Sequence, residues 1–174
     1  MTLVKGASPI RVLGIDTSLR STGVGVVERS GSRMVPLGYG TLKAGRTAPH
    51  SECLLKISRG VTEYIERYSP QSVSIEGIFH CRNVRTAVTL GQARGAAITA
   101  CAAAGIPVFE YPPRRVKLAV CGSGAAQKEQ VGRMIMKMLS VEDLLPDDES
   151  DALALAICHL NSLTVVQELA TKPL

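Results

Sequence analysis

Four carboxylates occupy positions where the sequence predicts the ends of structural elements. Asp16 closes a short apolar run at residues 11–16, and Glu76 closes a second one at residues 73–76. Asp148 and Asp151 are three positions apart at the start of a predicted helix, so both project from one face of it. If the two runs are neighbouring strands joined by a crossover connection, Asp16 and Glu76 meet at one edge of a sheet. With the helix start packed over that edge, the four carboxylates would converge.

Such a cluster of acids predicts a divalent cation site. Like charges gathered in a poorly solvated place repel each other by several kcal/mol unless cations offset them. Oxygen ligands without a supporting His or Cys set indicate Mg²⁺, with Mn²⁺ as a substitute, rather than zinc. Two such ions about 4 Å apart suit phosphoryl displacement, because one activates water and the other stabilises the leaving oxygen. Taken singly, each acid also has a structural explanation, such as Asp16 bonded to turn amides or Asp148 capping a helix.

The distribution of charge bears on what such a site would act on. The chain has a net charge of +5, yet residues 142–151 hold six acids and no Lys or Arg. The rest of the chain therefore carries 20 cations against nine acids, a net charge of +11. A basic surface favours a polyanion partner, although it also serves simply to keep a protein in solution. Acids that face a polyanion need divalent cations between the two, so the charge pattern and the acid cluster point to the same chemistry.

Length and composition limit the class of protein. With 174 residues, of which 45% are hydrophobic and 20% charged, we expect a single globular domain over residues 1–174 with its core at about 11–162. No apolar run reaches the roughly 20 residues of a membrane span, and residues 1–11 lack the apolar core of a signal peptide, so a cytoplasmic protein without membrane contact is expected. The five cysteines are widely spaced without a CxxC pair and are expected to be reduced.

Hydrophobic periodicity predicts the elements that must position the acids. Strands are predicted at residues 11–16, 21–28, 33–42, 73–76 and 106–111, the first three as an antiparallel meander. Helices are predicted at residues 51–69, 83–104, 127–139 and 148–163. Pro112 and Pro113 stop the last strand, and a loop carrying Arg114, Arg115 and Lys117 is expected after them. The order βββαβαβαα indicates an α/β fold with a mixed sheet.

Four segments of the sequence resemble a known family. They are GIDTSLRSTGVGVVE at residues 14–28, IEGIF at 75–79, NVRTAVTLGQARGAAI at 83–98 and DESDALALAICH at 148–159. In this order, over about residues 11–162, they resemble the RuvC family of Holliday-junction resolvases. The resemblance implies a ribonuclease-H-like fold, a mixed five-stranded sheet flanked by helices, and a homodimer. It also implies Mg²⁺-dependent paired nicking of four-way DNA junctions in recombination and repair. The four catalytic, metal-binding acids of the family fall on Asp16, Glu76, Asp148 and Asp151.

The same resemblance suggests which residues contact DNA. Lys117 and Lys128 are expected near the DNA backbone at the cut site, and Phe79 where the family has an aromatic that wedges against bases. Arg82 and Asn83 complete the expected contacts. The ordinary alternatives are solvated lysines and a Phe buried at a strand end. A branch-migration motor complex is a further expected partner.

Two features of the sequence differ from the family or leave a question open. Thr17-Ser18 follows Asp16 where the family usually has Pro-Gly, and His80-Cys81 follows Phe79 where an aromatic or small residue is common. The Ala-rich helix at residues 83–104 is explained equally by close packing within one chain and by contact with a second copy.

Two other function classes fit parts of the sequence. An actin-like ATPase also has an acid followed by Ser and Thr-Gly beside its phosphates, but that fold needs two such domains and 174 residues supply one. A junction-binding protein with a degenerate site is the second alternative, and the intact set of four acids argues against it.

Overall fold

The computed structural model describes residues 8–77, 83–163 and 172–174. Within them the chain forms five strands, β1 (Ile10–Asp16), β2 (Ser21–Ser30), β3 (Arg33–Lys43), β4 (Ser72–Glu76) and β5 (Val108–Tyr111). It also forms five helices there, α1 (His50–Tyr68), α2 (Val84–Ala103), α3 (Pro113–Cys121), α4 (Lys128–Leu139) and α5 (Asp147–Ser162). No helix among the described residues is both long and apolar enough to cross a membrane.

The five strands form one mixed sheet in the order β3-β2-β1-β4-β5. β1, β2 and β3 make the predicted antiparallel meander, whereas β4 runs parallel to both β1 and β5. Because β1 and β4 are parallel neighbours, their carboxyl ends meet at the same edge, where Asp16 and Glu76 close them. The predicted α/β fold and the strand pairing on which the site prediction depends are both confirmed.

Helices cover both faces of the sheet, and alternate residues of β1 show how. Val12 belongs to the core formed with α3, α4 and α5, while Leu13 and Ile15 belong to the core formed with α1 and α2. All three side chains are fully buried. A strand buried on both faces is predicted by a continuous apolar run, which is the pattern of residues 12–15.

α5 lies directly against the two central strands because glycines leave room for its backbone. A Cβ atom at Gly14 would lie 1.8 Å from the carbonyl oxygen of Ala152, and one at Gly23 would lie 1.9 Å from that of Asp148. No side chain other than hydrogen fits at either place, so the helix backbone approaches the strands closely. This approach brings the first two turns of α5, with Asp148 and Asp151, over the carboxyl end of β1.

The segment after β5 is a helix, so the predicted loop at Arg114, Arg115 and Lys117 was wrong. α3 begins at Pro113, a position where the fixed φ and missing N–H of proline suit the first turn of a helix. Val116 and Val120, four residues apart, face the core. The two prolines therefore end the strand and start a helix, which fixes Lys117 on a rigid element.

α2 uses its small residues, not its large apolar ones, to pack within the chain. Ala93, Ala97 and Cys101 are fully buried against α1 and the sheet. Val84 and Val88 instead remain 79% and 55% exposed on the opposite side. Small side chains let two helices approach closely, and the larger valines are left on a face that nothing in the described part of this chain covers.

Candidate active site

The carboxyl ends of β1 and β4 form the floor of a cavity of about 240 Å³. Asp16, Glu76 and Asp151 line it, and so do Lys117 and Lys128. Three of the four predicted acids and both predicted lysines are therefore gathered in one place. The acids come from two neighbouring strand ends and from the start of α5, as the sequence predicts.

The fourth acid, Asp148, lies beside this cavity without lining it. Its Oδ2 accepts a hydrogen bond from the hydroxyl of Ser21, the first residue of β2. Its charge still reaches the site, since it is among the causes that raise the pKa of Asp16. Ser21 is a residue that the sequence analysis missed, because 127 positions separate it from its partner.

The electrostatics of the cavity are those of crowded carboxylates. Burial, together with the negative charges of Glu76, Asp151 and Asp148, raises the pKa of Asp16 to about 7. Burial also raises the pKa of Glu76, with Asp151 contributing. Lys128 opposes the shift in both cases. A positive charge placed among these groups would therefore lower their free energy.

Lys128 brings a positive charge into contact with this group of acids. Its Nζ lies 3.2 Å from Oδ2 of Asp151 and 3.2 Å from Oδ2 of Asp147. Partial burial lowers the pKa of Lys128, but its hydrogen bonds to Asp151 and Asp147 and their charges outweigh that effect and leave the pKa raised. A capping box between Gln127 and Gln130 starts α4 at this residue and so holds the ammonium at the mouth of the cavity.

The donor set fits a hard divalent cation in its chemistry, since every candidate ligand is a carboxylate oxygen. Among the described residues, however, no three His, Cys, Asp or Glu side chains stand so that they could hold a metal ion together. The contacts explain this, because Asp151 is paired with Lys128 and Asp148 with Ser21, while the remaining carboxylates repel each other.

The turn after Asp16 is closed by a threonine. The hydroxyl of Thr22 donates to the carbonyl oxygen of Ser18 at 2.6 Å and accepts from the amide of Ser18 at 3.3 Å. Thr22 is fully buried. Although Thr17-Ser18 replaces the usual Pro-Gly, the hydroxyl of Thr22 therefore holds the turn through both the amide and the carbonyl of Ser18.

The remaining DNA-contact predictions fall at or before the start of α2. Phe79 and Arg82, like His80, lie outside the described residues. Asn83 caps α2, its Oδ1 accepting from the amides of Arg85 at 2.9 Å and Thr86 at 3.3 Å. Its role toward DNA stays a prediction.

The fold places the chain in a structural class. A mixed five-stranded sheet of order 3-2-1-4-5, with acids at the ends of its central strands and helices on both faces, is the ribonuclease-H-like fold. The chain superposes on the structure of T. thermophilus RuvC in complex with a Holliday junction substrate with a TM-score of 0.87 and 32% identity, over 95% of this chain and 99% of that one.

Sequence comparison narrows the class to a family. Residues 12–159 match the model of the family described as crossover junction endodeoxyribonuclease RuvC. Curated relatives of that name from Geotalea uraniireducens (strain Rf4) and Trichlorobacter lovleyi are 45% and 46% identical over 153 residues. These alignments cover 88% of this chain and 90% and 86% of the relatives. The chain therefore belongs to the RuvC family of crossover junction endodeoxyribonucleases. The predicted fold, enzyme class and junction-directed function are confirmed, and the ATPase and the inactive binding protein are not favoured.

Proposed function

We propose that this chain resolves four-way DNA junctions by paired, symmetric nicks, using Asp16, Glu76, Asp148 and Asp151 as the acids that hold divalent cations. The observation that carries this proposal is the convergence of Asp16, Glu76 and Asp151 on one cavity. Burial and the charges of the three other acids also raise the pKa of Asp16 to about 7 there. Two Mg²⁺ ions, or Mn²⁺ in their place, suit four carboxylates and a family of metal-dependent nucleases.

The bound cations would supply an acidic water near the phosphodiester and offset the charge of the leaving oxygen. The side chains of this chain have their own tasks. Asp16 must lose its proton, and Asp151 must exchange its partner Lys128 for a cation. Once Asp151 has released it, the ammonium of Lys128 can turn toward the phosphate. Its other partner, Asp147 Oδ2 at 3.2 Å, keeps it close to the cavity. Lys117 approaches the same cavity from α3.

A homodimer is part of this proposal, because two symmetric nicks need two opposed active sites and one chain provides one. The exposed face of α2 supports it. Val84, Val88, Gly91 and Gly95 follow each other at spacings of four, three and four, and a Cβ atom at either glycine would meet nothing within 4 Å. This is the a/d spacing of a helix that packs against another helix. We infer that a second copy covers this face.

We propose the remaining DNA contacts, the cellular location and a further protein partner from the same family membership. Phe79, Arg82 and Asn83 stand before α2 in the sequence and are proposed as DNA contacts together with Lys117 and Lys128. We also propose action in the cytoplasm, with a branch-migration motor complex as a further partner.

A cleavage assay tests the assignment of the acids. A labelled four-way junction is incubated with Mg²⁺ and either the wild type or the variants Asp16→Asn and Asp151→Asn. Each variant keeps the shape of the side chain but loses its charge, so nicking should be abolished while junction binding in EDTA is retained. Asp143→Asn, at an exposed loop acid, is the matched control and should cut like the wild type. Wild-type cleavage by Asp16→Asn would refute the assignment.

A further inference from the structure

Arg94 is a buried cation on the side of the sheet away from α5. It lies on α2 between the buried residues Ala93 and Ala97, and only 8% of it is exposed. Arginine is almost never buried to this extent unless its charge is paired and its N–H groups are hydrogen-bonded. The partners of Arg94 therefore indicate why the fold keeps it.

The guanidinium joins the ends of two neighbouring strands. Its Nη2 forms an ion pair with the carboxylate of Glu110 on β5, and its Nη1 donates to the backbone carbonyl oxygen of Glu76 on β4. Glu110 pairs with Ile75 in the register of the sheet, so the guanidinium bridges the last residue of β4 and the next-to-last residue of β5. Just beyond Glu76, the amide of Gly77 donates to the carbonyl oxygen of Tyr111 at 2.9 Å.

The bond to Glu76 distinguishes this arrangement from simple packing of α2. A guanidinium that served only to balance the charge of Glu110 could bind that carboxylate through two of its nitrogens, as in common bidentate pairs. Here Nη1 instead binds the backbone of Glu76, whose side chain lines the cavity. Arg94 does not touch that carboxylate, so its influence on the site passes through the main chain.

We propose that Arg94 is a positioning residue that, steered by Glu110, fixes the end of β4 and thereby the carboxylate of Glu76 facing Asp16 and Asp151. This inference rests on the proposed role of Glu76 in holding a divalent cation. Small displacements of a ligand matter because groups that orient metal ligands commonly change metal affinity or activity by about ten- to hundredfold when they are altered.

The first test measures Mn²⁺ binding in the absence of DNA, from the free-ion electron paramagnetic resonance signal. Arg94→Lys keeps the charge beside Glu110 but cannot hold both acceptors with a planar fork. We expect Mn²⁺ affinity to fall about ten- to hundredfold, while junction binding in EDTA stays within twofold of the wild type. Arg59→Lys, the same substitution at an exposed position of α1, should leave both quantities unchanged.

A second variant guards against misfolding of the first. The double variant Arg94→Gln and Glu110→Gln removes both charges, so no unpaired charge is buried and the net charge of the protein is preserved. It should lose Mn²⁺ affinity to a similar degree, with circular dichroism and the thermal transition confirming a folded protein. Wild-type Mn²⁺ affinity in the folded double variant would overturn the proposal, even if Arg94→Lys did not fold.

Glu76→Gln separates this inference from the proposed function. If that variant binds Mn²⁺ as the wild type does, the assignment of the acids fails, and the role of Arg94 fails with it. If Glu76→Gln loses Mn²⁺ while both Arg94 variants keep it, only the positioning role is refuted. Loss in all of them supports both.

Discussion

At the scale of the residue, the cavity concentrates negative charge and compensates it only in part. Burial and three neighbouring acids raise the pKa of Asp16. The positive charge of Lys128 opposes the rise in the pKa of both Asp16 and Glu76. In the absence of a cation, the ionised form of Asp16 is therefore unfavourable in the folded state. A divalent cation bound at this place would offset the unfavourable free energy of the ionised carboxylate.

Asp16→Asn should stabilise the metal-free protein at neutral and higher pH. Asp16 has a pKa of about 7 in the folded state, above its ordinary value of 3.8, so the folded state binds more protons than the unfolded chain between these values. The free energy of unfolding of the wild type therefore falls as pH rises through this window, and the cost is complete above pH 7. In EDTA, we expect the variant to have the higher Tm at pH 8, with the difference shrinking toward pH 4.

Thermal melts at several pH values, monitored by circular dichroism, measure this difference. Asp143→Asn serves as the control and should track the wild type at every pH. With Mg²⁺ present the order should reverse at pH 8, because only the wild type gains stability from bound cation. Equal Tm values for Asp16→Asn and the wild type at pH 8 in EDTA would show that Asp16 is not crowded by charge.

Lys128→Ala should impair cleavage far more than binding. The ammonium lies against Asp151 at 3.2 Å, at the edge of the cavity where a phosphate would be cut. Losing one such charge at a reaction centre costs about a hundredfold in turnover, whereas one of many backbone contacts changes affinity only a few-fold. Single-turnover cleavage and junction titration in Ca²⁺ measure the two effects, and Lys137→Ala on the exposed side of α4 is the control. Equal losses in both would reduce Lys128 to a simple backbone contact.

At the scale of the element, the site depends on how closely α5 lies on the central strands. The helix brings Asp148 and Asp151 to the strand ends only because Gly14 and Gly23 leave its backbone unobstructed. Ser21, beside this contact, then holds Asp148 from the neighbouring strand. The acids of α5 are therefore positioned by backbone contact as much as by their own spacing.

Gly23→Ala should damage both stability and cleavage. The added methyl would lie 1.9 Å from the carbonyl oxygen of Asp148, so the first turn of α5 must move outward. Overpacking of this kind costs about 1–3 kcal/mol, and the displaced acids should lower cleavage by more than the loss of folded protein explains. Chemical denaturation and single-turnover cleavage measure the two effects.

Gly132→Ala provides the comparison for this experiment. Gly132 lies in α4, and a Cβ atom there would be 3.7 Å from Oγ of Ser150, an ordinary contact. Replacing a glycine by alanine within a helix stabilises it by about 1 kcal/mol, so this variant should be at least as stable as the wild type. If Gly23→Ala behaved in the same way, close contact between α5 and β2 would not be what positions the acids.

At the scale of the whole molecule, the two sides of α2 serve different purposes. One side packs its alanines and Arg94 against the sheet, and the other leaves Val84 and Val88 exposed. Exposed apolar residues at helical spacing are typical of a surface that another helix covers. The second copy proposed for this surface would bring a second active site into the same assembly.

Val88→Asp should therefore convert a dimer into a monomer. Sedimentation at micromolar concentration should give the wild type twice its chain mass of 18.5 kDa, and the variant that mass alone. Leu55→Asp, at a half-exposed apolar residue of α1, should remain dimeric. A wild type that sediments at 18.5 kDa with and without junction DNA would refute the proposed dimer.

The sequence alone was sufficient for those features that depend on local pattern. Apolar runs ending in acids predicted Asp16 and Glu76 at strand ends, and the spacing of Asp148 and Asp151 placed them on one helix face. The segment after Pro113 was misread because proline both stops a strand and starts a helix, and the buried pair Val116 and Val120 was the signal that favoured the helix.

Only the tertiary structure decided which residues hold those acids in place. Ser21 reaches Asp148 across 127 positions, and Arg94 reaches the carbonyl of Glu76 across 18. Neither pair has a characteristic spacing, because such contacts depend on the angle and distance at which whole elements pack. Periodicity encodes which face of an element is buried, but it does not encode the partner that a side chain meets there.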